Sequence, residues 1–309
     1  MTLALQTRHL SKRFGALTAV DDLSLEVQPG EIFGFLGPNG AGKTTSIQMM
    51  CGLMSPDAGE VLIGGVPVRG GEAATRARVG VCPQENILWD KLTCLEQLEF
   101  IGQAYGIRSS LARQRGLELL EALGLQTKAH ETAGKLSGGM KRRLNICLAL
   151  VHDPEIVIFD EPEAGLDPQS RVLVREYIRG LARVKTVILT THNMDEAERL
   201  ADRVAIIDHG RLLACGSPDE LKRSLGAGDV LELEVGPALE QAAALARELF
   251  ADVTSVNHSL VIRDHALVER LPVLLDKLRI ANIFYPEIKL RTNNLEDVFL
   301  NLTGRRLRE

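Results

Sequence analysis

Eight consecutive residues, Gly37-Pro38-Asn39-Gly40-Ala41-Gly42-Lys43-Thr44, carry the spacing G-x-x-x-x-G-K-[ST]. The glycines allow the backbone to bend until consecutive N–H groups face one anion. An apolar stretch, 32–36, enters this loop, and a helical stretch, 45–53, leaves it from Thr45. The helix brings its positive N-terminus to the same anion. Lys43 can reach the β- and γ-phosphates of a nucleotide, and Thr44 can hold Mg²⁺. Gly37, Gly40 and Gly42 do not fit the G-x-G-x-x-G spacing of dinucleotide folds. An ordinary glycine turn does not explain strand, loop and helix in this order.

A second set of chemical groups lies downstream. The buried-looking run Ile156-Val157-Ile158-Phe159 ends in Asp160 and Glu161. An acid at such a strand end can hold Mg²⁺, which assigns Asp160 to the metal. Glu161, one residue on, can point at an attacking water as general base, a role worth roughly 10²–10⁴-fold in rate.

These groups need a scaffold that brings distant segments together. Short β-branched or apolar runs at 32–36, 79–82, 156–160, 187–190 and 204–208 read as buried strands, with helical patterns between them. That alternation predicts an α/β domain with a mostly parallel core sheet. Leu-rich stretches at 92–106 and 111–123 predict two consecutive helices inserted without a strand between them. A Gly-Ala-Gly-Asp break at 226–229 divides the chain into expected domains 1–225 and 226–309. Beyond it, strands near 230–235, 253–256, 260–263 and 283–290 and helices at 238–249 and 266–278 follow the order β-α-β-β-α-β. That order predicts a small ferredoxin-like α+β module. A last helix begins at Asn294, which can cap it, and runs to Leu302.

Between the loop and Asp160 lies Leu136-Ser137-Gly138-Gly139-Met140, which resembles the LSGGQ signature of ATP-binding cassette (ABC) proteins. Other motifs follow in family order. Gln84, in Cys82-Pro83-Gln84-Glu85, resembles the Q-loop glutamine. Gly165-Leu166-Asp167 resembles the D-loop, His192 after Thr190-Thr191 the switch histidine, and Phe14 in Arg13-Phe14-Gly15 the aromatic that stacks on adenine. The resemblance spans about residues 5–225 and implies a P-loop NTPase cassette that binds ATP and Mg²⁺ and hydrolyses ATP.

The family's roles carry over by position. Gln84 would contact Mg²⁺ or water and sense a transmembrane partner. His192 would contact the γ-phosphate. Ser137, Gly138 and Gly139, with Asp167 nearby, would serve a nucleotide bound on a second subunit. The chain has one cassette, so a second cassette, expected as a homodimer, and an integral-membrane permease are implied, at the cytoplasmic face of the cell membrane.

Three residues depart from the pattern. Met140 replaces the usual glutamine, Glu163 stands where threonine or serine is common, and Phe14 where tyrosine is common. Glu163 adds negative charge near the expected interface. The segments Thr191-His192-Asn193-Met194-Asp195-Glu196-Ala197-Glu198 and 294–305, with the LSGGM variant, look like the daunorubicin-resistance-type exporter branch. Its members serve permeases that move drugs, lipids, polysaccharides or ions outward.

Composition narrows the alternatives. Net charge of −5 over 309 residues offers no basic footprint for nucleic acid. Five cysteines, an odd number without a CxxC pair, suit neither a disulfide framework nor a zinc site. Asp252, His258, Asp264 and His265 lie on separate expected elements without ligand spacing. No apolar run reaches the roughly 18 residues needed to span a bilayer, and the first ten residues carry Arg8 and His9 with no long apolar stretch. A soluble cassette of translation usually has two cassettes, and one of DNA repair inserts a long coiled coil. A regulatory cassette with a dead site is disfavoured by the presence of Lys43, Thr44, Asp160, Glu161 and His192.

Overall fold

The computed structural model describes residues 2–68, 73–225, 229–256, 258–264 and 266–304. The glycines of the expected break at 226–228, His265 and the basic run Arg305-Arg306-Leu307-Arg308 lie outside them. The chain forms two compact units, Met1–Ser217 and Pro218–Glu309.

The first unit is built on a six-stranded sheet. Its order is Arg211–Gly216, Arg203–Asp208, Ile32–Leu36, Thr186–Thr191, Ile156–Asp160 and Val79–Cys82. All neighbours are parallel except the edge pair Arg211–Gly216 with Arg203–Asp208. Ile32–Leu36 and Ile156–Asp160 are buried at every position. Strands covered on both faces must be apolar throughout, which is why they stand out as uninterrupted runs.

Register decides where the strands stop. Leu36 lies opposite Thr191, Asp160 opposite Thr190, and Cys82 opposite Phe159. With a rise of about 3.3 Å per residue, these carboxyl ends finish at nearly one level. Gly37, Glu161, His192 and Pro83 therefore leave the sheet at one edge, the end at which open α/β sheets take ligands.

A second, antiparallel sheet orders Leu17–Val27, Leu5–Phe14, Ala58–Ile63 and Val66–Pro67. It was not expected from the sequence. Its long strands mix buried Leu5, Leu10 and Leu23 with polar Arg8, Lys12 and Asp22, so no apolar run marks them. Its inward side joins one core with Phe33, Phe35 and Ile158 of the parallel sheet.

The insertion is helical, as the Leu pattern predicts. Cys94–Ala104 starts with a capping box between Thr93 and Glu96. It packs on Ser109–Ala122, and both pack on Gly138–Leu150.

In the second unit the sheet order is Asp252–Val256, Ser259–Asp264, Asp229–Glu234 and Ile288–Thr292, antiparallel throughout. Helices Leu239–Arg247 and Leu267–Ile280 follow the first and third strands in sequence, which gives the split β-α-β arrangement. Leu231, Leu233, Leu260 and Ile262 meet Ala242 and Leu274 in its core. Two details differ from expectation. The unit begins at Pro218 rather than 226, because helix Pro218–Ser224 packs on Leu295–Thr303. The last strand is Ile288–Thr292 rather than 283–290, since Pro286 has no N–H for the ladder and Ile283 turns into the core instead. Asn294 caps the final helix, accepting from Asp297 N at 3.0 Å.

A chain ended at Ser217 keeps its own core and should still bind ATP with a cooperative melt. Calorimetric titration of ATP checks this. A truncated chain that melts cooperatively but no longer takes nucleotide would show that the first unit is not self-sufficient.

Candidate active site

The loop after Ile32–Leu36 is shaped by steric necessity. A Cβ on Gly37 would lie 2.5 Å from Ile207 O, and one on Gly42 would lie 2.3 Å from Ala19 O. Gly42 also has φ 98°, which disfavours side chains. Helix Lys43–Met50 starts there with no side chain capping it. Its first backbone donors are thus left for an anion. Lys43 is 7% exposed. Its Nζ donates to Gly37 O at 2.7 Å and Pro38 O at 3.0 Å. Burial lowers its pKa below the ordinary lysine value, while the charges of Glu161 and Asp160 oppose that shift.

The two acids stand at the end of Ile156–Asp160, both buried. Thr190 Oγ1 donates to Asp160 Oδ1. Glu161 has φ 51°, in the left-handed region that a non-glycine residue occupies at a cost. Its N–H is held by Thr190 O at 3.0 Å. Its carboxylate accepts from Gln84 Nε2 at 3.0 Å on one oxygen and faces His192 Nδ1 at 2.5 Å on the other. A carboxylate only accepts, so Nδ1 carries the proton in this contact. Gln84, Glu161 and His192, each singled out from a separate motif, thus form one hydrogen-bonded row.

A cavity of about 320 Å³ opens beside this row. Phe14, Lys43, Thr44, Thr45, Asp160 and Glu161 are among its walls. Phe14 stands half exposed at its rim, with Lys12 Nζ 5.9 Å from the ring centre. Asn39, Gly40 and Gly42 line it as well. The oxygen donors Thr44, Asp160 and Gln84 suit a hard cation, and the glycine cradle and Lys43 suit phosphates.

The signature and D-loop residues are not part of this cavity. Ser137 caps helix Gly138–Leu150 by accepting from Met140 N at 3.3 Å. That bond uses the backbone, so Met140 in place of glutamine leaves it intact. Asp167 caps Pro168–Leu181 through Ser170 N at 3.0 Å. A Cβ on Gly139 would lie 3.7 Å from Asp167 Oδ2, so these two segments adjoin.

Several residues at the site carry no motif of their own. Arg142 and Asn145, on the signature helix, bind carbonyls of the Gln84 loop. His209 lines the cavity. Glu163, expected from the sequence as a negative charge near the interface, is 7% exposed and paired bidentately with Arg175 at 2.9 and 2.6 Å. In the C-terminal unit Asp252 pairs with Arg263, and Asp264 accepts from Ala266 N.

Glu196, four residues after His192, is buried. It accepts from Thr191 Oγ1 at 2.5 Å, and its other oxygen finds no hydrogen-bond partner among the described residues. Burial pushes its pKa up to about 7. The Thr191 hydroxyl opposes the rise, and the Glu163 charge adds to it. The folded form therefore binds a proton more tightly than the unfolded chain, whose carboxyl titrates near 4.5. Stability from this group is highest below that value and is lost as pH rises through about 7. Glu196→Gln keeps the Thr191 bond and removes the titration. Melting temperatures recorded between pH 5 and 8 should decline less steeply for the variant than for the native chain, and parallel curves would rule Glu196 out as the source.

Comparison with known proteins agrees with this geometry. Residues 20–164 match the family model described as ABC transporter. The chain is 41% identical to the Nod factor export ATP-binding protein I of Paraburkholderia xenovorans (strain LB400), over 99% of both chains. It is 39% identical to the linearmycin resistance ATP-binding protein LnrL of Bacillus subtilis (strain 168), over 99% of this chain and 100% of that one. Among solved structures, an ATP-binding subunit of an ABC transporter superposes with a TM-score of 0.67 at 31% identity, covering 73% of this chain and 94% of that one. A dimeric, post-hydrolysis ATP-binding cassette bound to ADP and phosphate gives 0.64 at 25% identity, covering 69% and 98%. The chain belongs to the ATP-binding cassette transporter family, as an ATP-hydrolysing subunit.

Proposed function

We propose that this subunit powers export by a separate membrane permease, working as a pair of identical cassettes. The observation that carries the chemical part is the row Gln84–Glu161–His192 beside the Lys43 cavity. Glu161 takes the proton of the attacking water as the bond from the γ-phosphorus to the bridging oxygen breaks and ADP leaves. His192 orients that water and contacts the γ-phosphate. Lys43 turns from the loop carbonyls to the phosphates. Phe14 offers its exposed face to adenine. Mg²⁺ fits the donors Thr44, Asp160 and Gln84, where it would neutralise charge on the phosphates. Export is the direction stated in the name of the Nod factor relative above, and the other relative is named for resistance to linearmycin.

Among the described residues no helix is long and apolar enough to cross a membrane; in this reading the subunit meets the bilayer through its permease. An apolar hollow of about 240 Å³ supports a docking face next to the Gln84 loop. Pro83, Ile87, Trp89, Ile101, Tyr105 and Leu148 line it. Trp89 and Phe100 meet edge to face at 5.3 Å, and both are exposed. Exposed aromatic clusters of this kind mark interaction sites. Phe100→Glu should abolish association with permease-containing membranes while ATPase activity of the free subunit stays within about twofold. If membrane association survives changes at Ile87, Trp89 and Phe100 alike, docking occurs elsewhere. The C-terminal unit, outside the site, would regulate or stabilise the pair.

The separation of Ser137 and Asp167 from the Lys43 cavity favours sites shared between two chains. In a mixed dimer of Lys43→Ala and Ser137→Arg subunits, one site holds both lesions and the other none. Verified heterodimers should trap one nucleotide that neither pure mutant dimer traps. Equal trapping in all three would exclude the trans arrangement.

A further inference from the structure

Arg142 lies one turn into helix Gly138–Leu150, and only 2% of its surface is exposed. Every hydrogen bond found for it among the described residues goes to a backbone carbonyl. Nη1 donates to Pro83 O and, at 3.1 Å, to Gln84 O. Nη2 donates to Asp160 O at 2.5 Å and Glu161 O at 2.8 Å, and Nε to Pro162 O at 3.4 Å. A buried cation is costly unless its donors are satisfied, and a guanidinium can satisfy several at fixed angles. This one satisfies them on two segments that are far apart in sequence.

Those segments are the ones that carry Gln84 and Glu161. Nη2 bonds the carbonyl before Glu161 and the carbonyl of Glu161 itself. It thereby fixes the peptide planes on both sides of a residue held at φ 51°. Nothing else on the signature helix reaches 160–162 among the hydrogen bonds described: Asn145 goes to Cys82, Pro83 and Glu85 only.

We infer that Arg142 is a positioning residue for hydrolysis. It locks Glu161 into its left-handed conformation, and it makes the signature helix, the Gln84 loop and the end of Ile156–Asp160 move as one body. The inference rests on the reading of Glu161 as general base. A lysine at 142 has one point charge and three donors, so it cannot span these carbonyls. A displacement of about 1 Å at a reacting group costs about 10²-fold in rate.

The test measures kcat, KM for ATP and melting temperature for Arg142→Lys, Arg142→Gln, Asn145→Ala and Glu161→Gln. Both Arg142 variants should lose about 10- to 100-fold in kcat, with KM within about threefold of the native value. Asn145→Ala should lose about threefold at most. Arg142→Lys placed in the Glu161→Gln background should cause little further loss, since it acts through the missing carboxylate. The positioning role is overturned if kcat of Arg142→Lys stays within twofold, if its loss simply adds to that of Glu161→Gln, or if KM, stability and kcat decline together. It is also overturned if neither Arg142 variant folds, because the residue then belongs to the fold alone. Near-normal turnover by Glu161→Gln instead removes the base assignment. A slow Glu161→Gln beside a fast Arg142→Lys removes only the inference made here.

Discussion

The parallel pairing of Ile32–Leu36 with Thr186–Thr191, and of that strand with Ile156–Asp160, is the constraint on which the site depends. Side chains alternate along a strand, so a slip of one residue would turn each to the opposite face. Asp160 would then leave Thr190, and Glu161 would leave His192. Close packing on both sides of the sheet opposes that slip: a Cβ at Gly34 would already lie 2.8 Å from Val204 Cγ1, so neither Phe33 nor Phe35 can take that place. Hydrophobic packing, which has no direction of its own, is thereby converted into alignment of polar groups from three distant segments.

Electrostatics at the site follow one rule: a charge taken from water is given partners. Lys43 has two loop carbonyls, Glu163 has both prongs of Arg175, and Arg142 has five carbonyls. In the second unit Asp297 takes Arg263, Arg291 and the Asn294 backbone at 2% exposure. Breaking one member of such a set leaves the other buried and unpaired, which is costlier than the pair is favourable. Glu196 has the Thr191 hydroxyl on one oxygen, and burial pushes its pKa up to about 7.

What could be read in the sequence divides along physical lines. The glycine loop, the strand ending at Asp160 and the order of the later motifs depend on local spacing, and local spacing is visible. The five parallel strands were legible because each holds a short buried run of apolar or β-branched residues. The ferredoxin-like unit was legible from its order of elements. The antiparallel sheet was hidden because its strands, such as Leu5–Phe14, wet one side and interrupt their own pattern. Arg142 and Glu163 were hidden for a different reason. Charged residues in a string of charges read as surface, and only tertiary contact shows that Arg142 faces Asp160 and Glu163 faces Arg175. Likewise the domain boundary at Pro218 depends on a helix–helix contact with residues near 300.

The left-handed backbone at Glu161 places activity and robustness in opposition at a single residue. Glycine there would relieve strain of the order of 1 kcal/mol or more, and asparagine would relieve part of it, yet neither supplies a carboxylate. Selection for heat tolerance alone would favour such replacements, and each would yield a sturdier protein without turnover. A lineage that had ceased to need hydrolysis, but still needed a folded cassette, would be expected to drift toward them. At that position the backbone alone favours other residues, and only the need for a carboxylate favours glutamate.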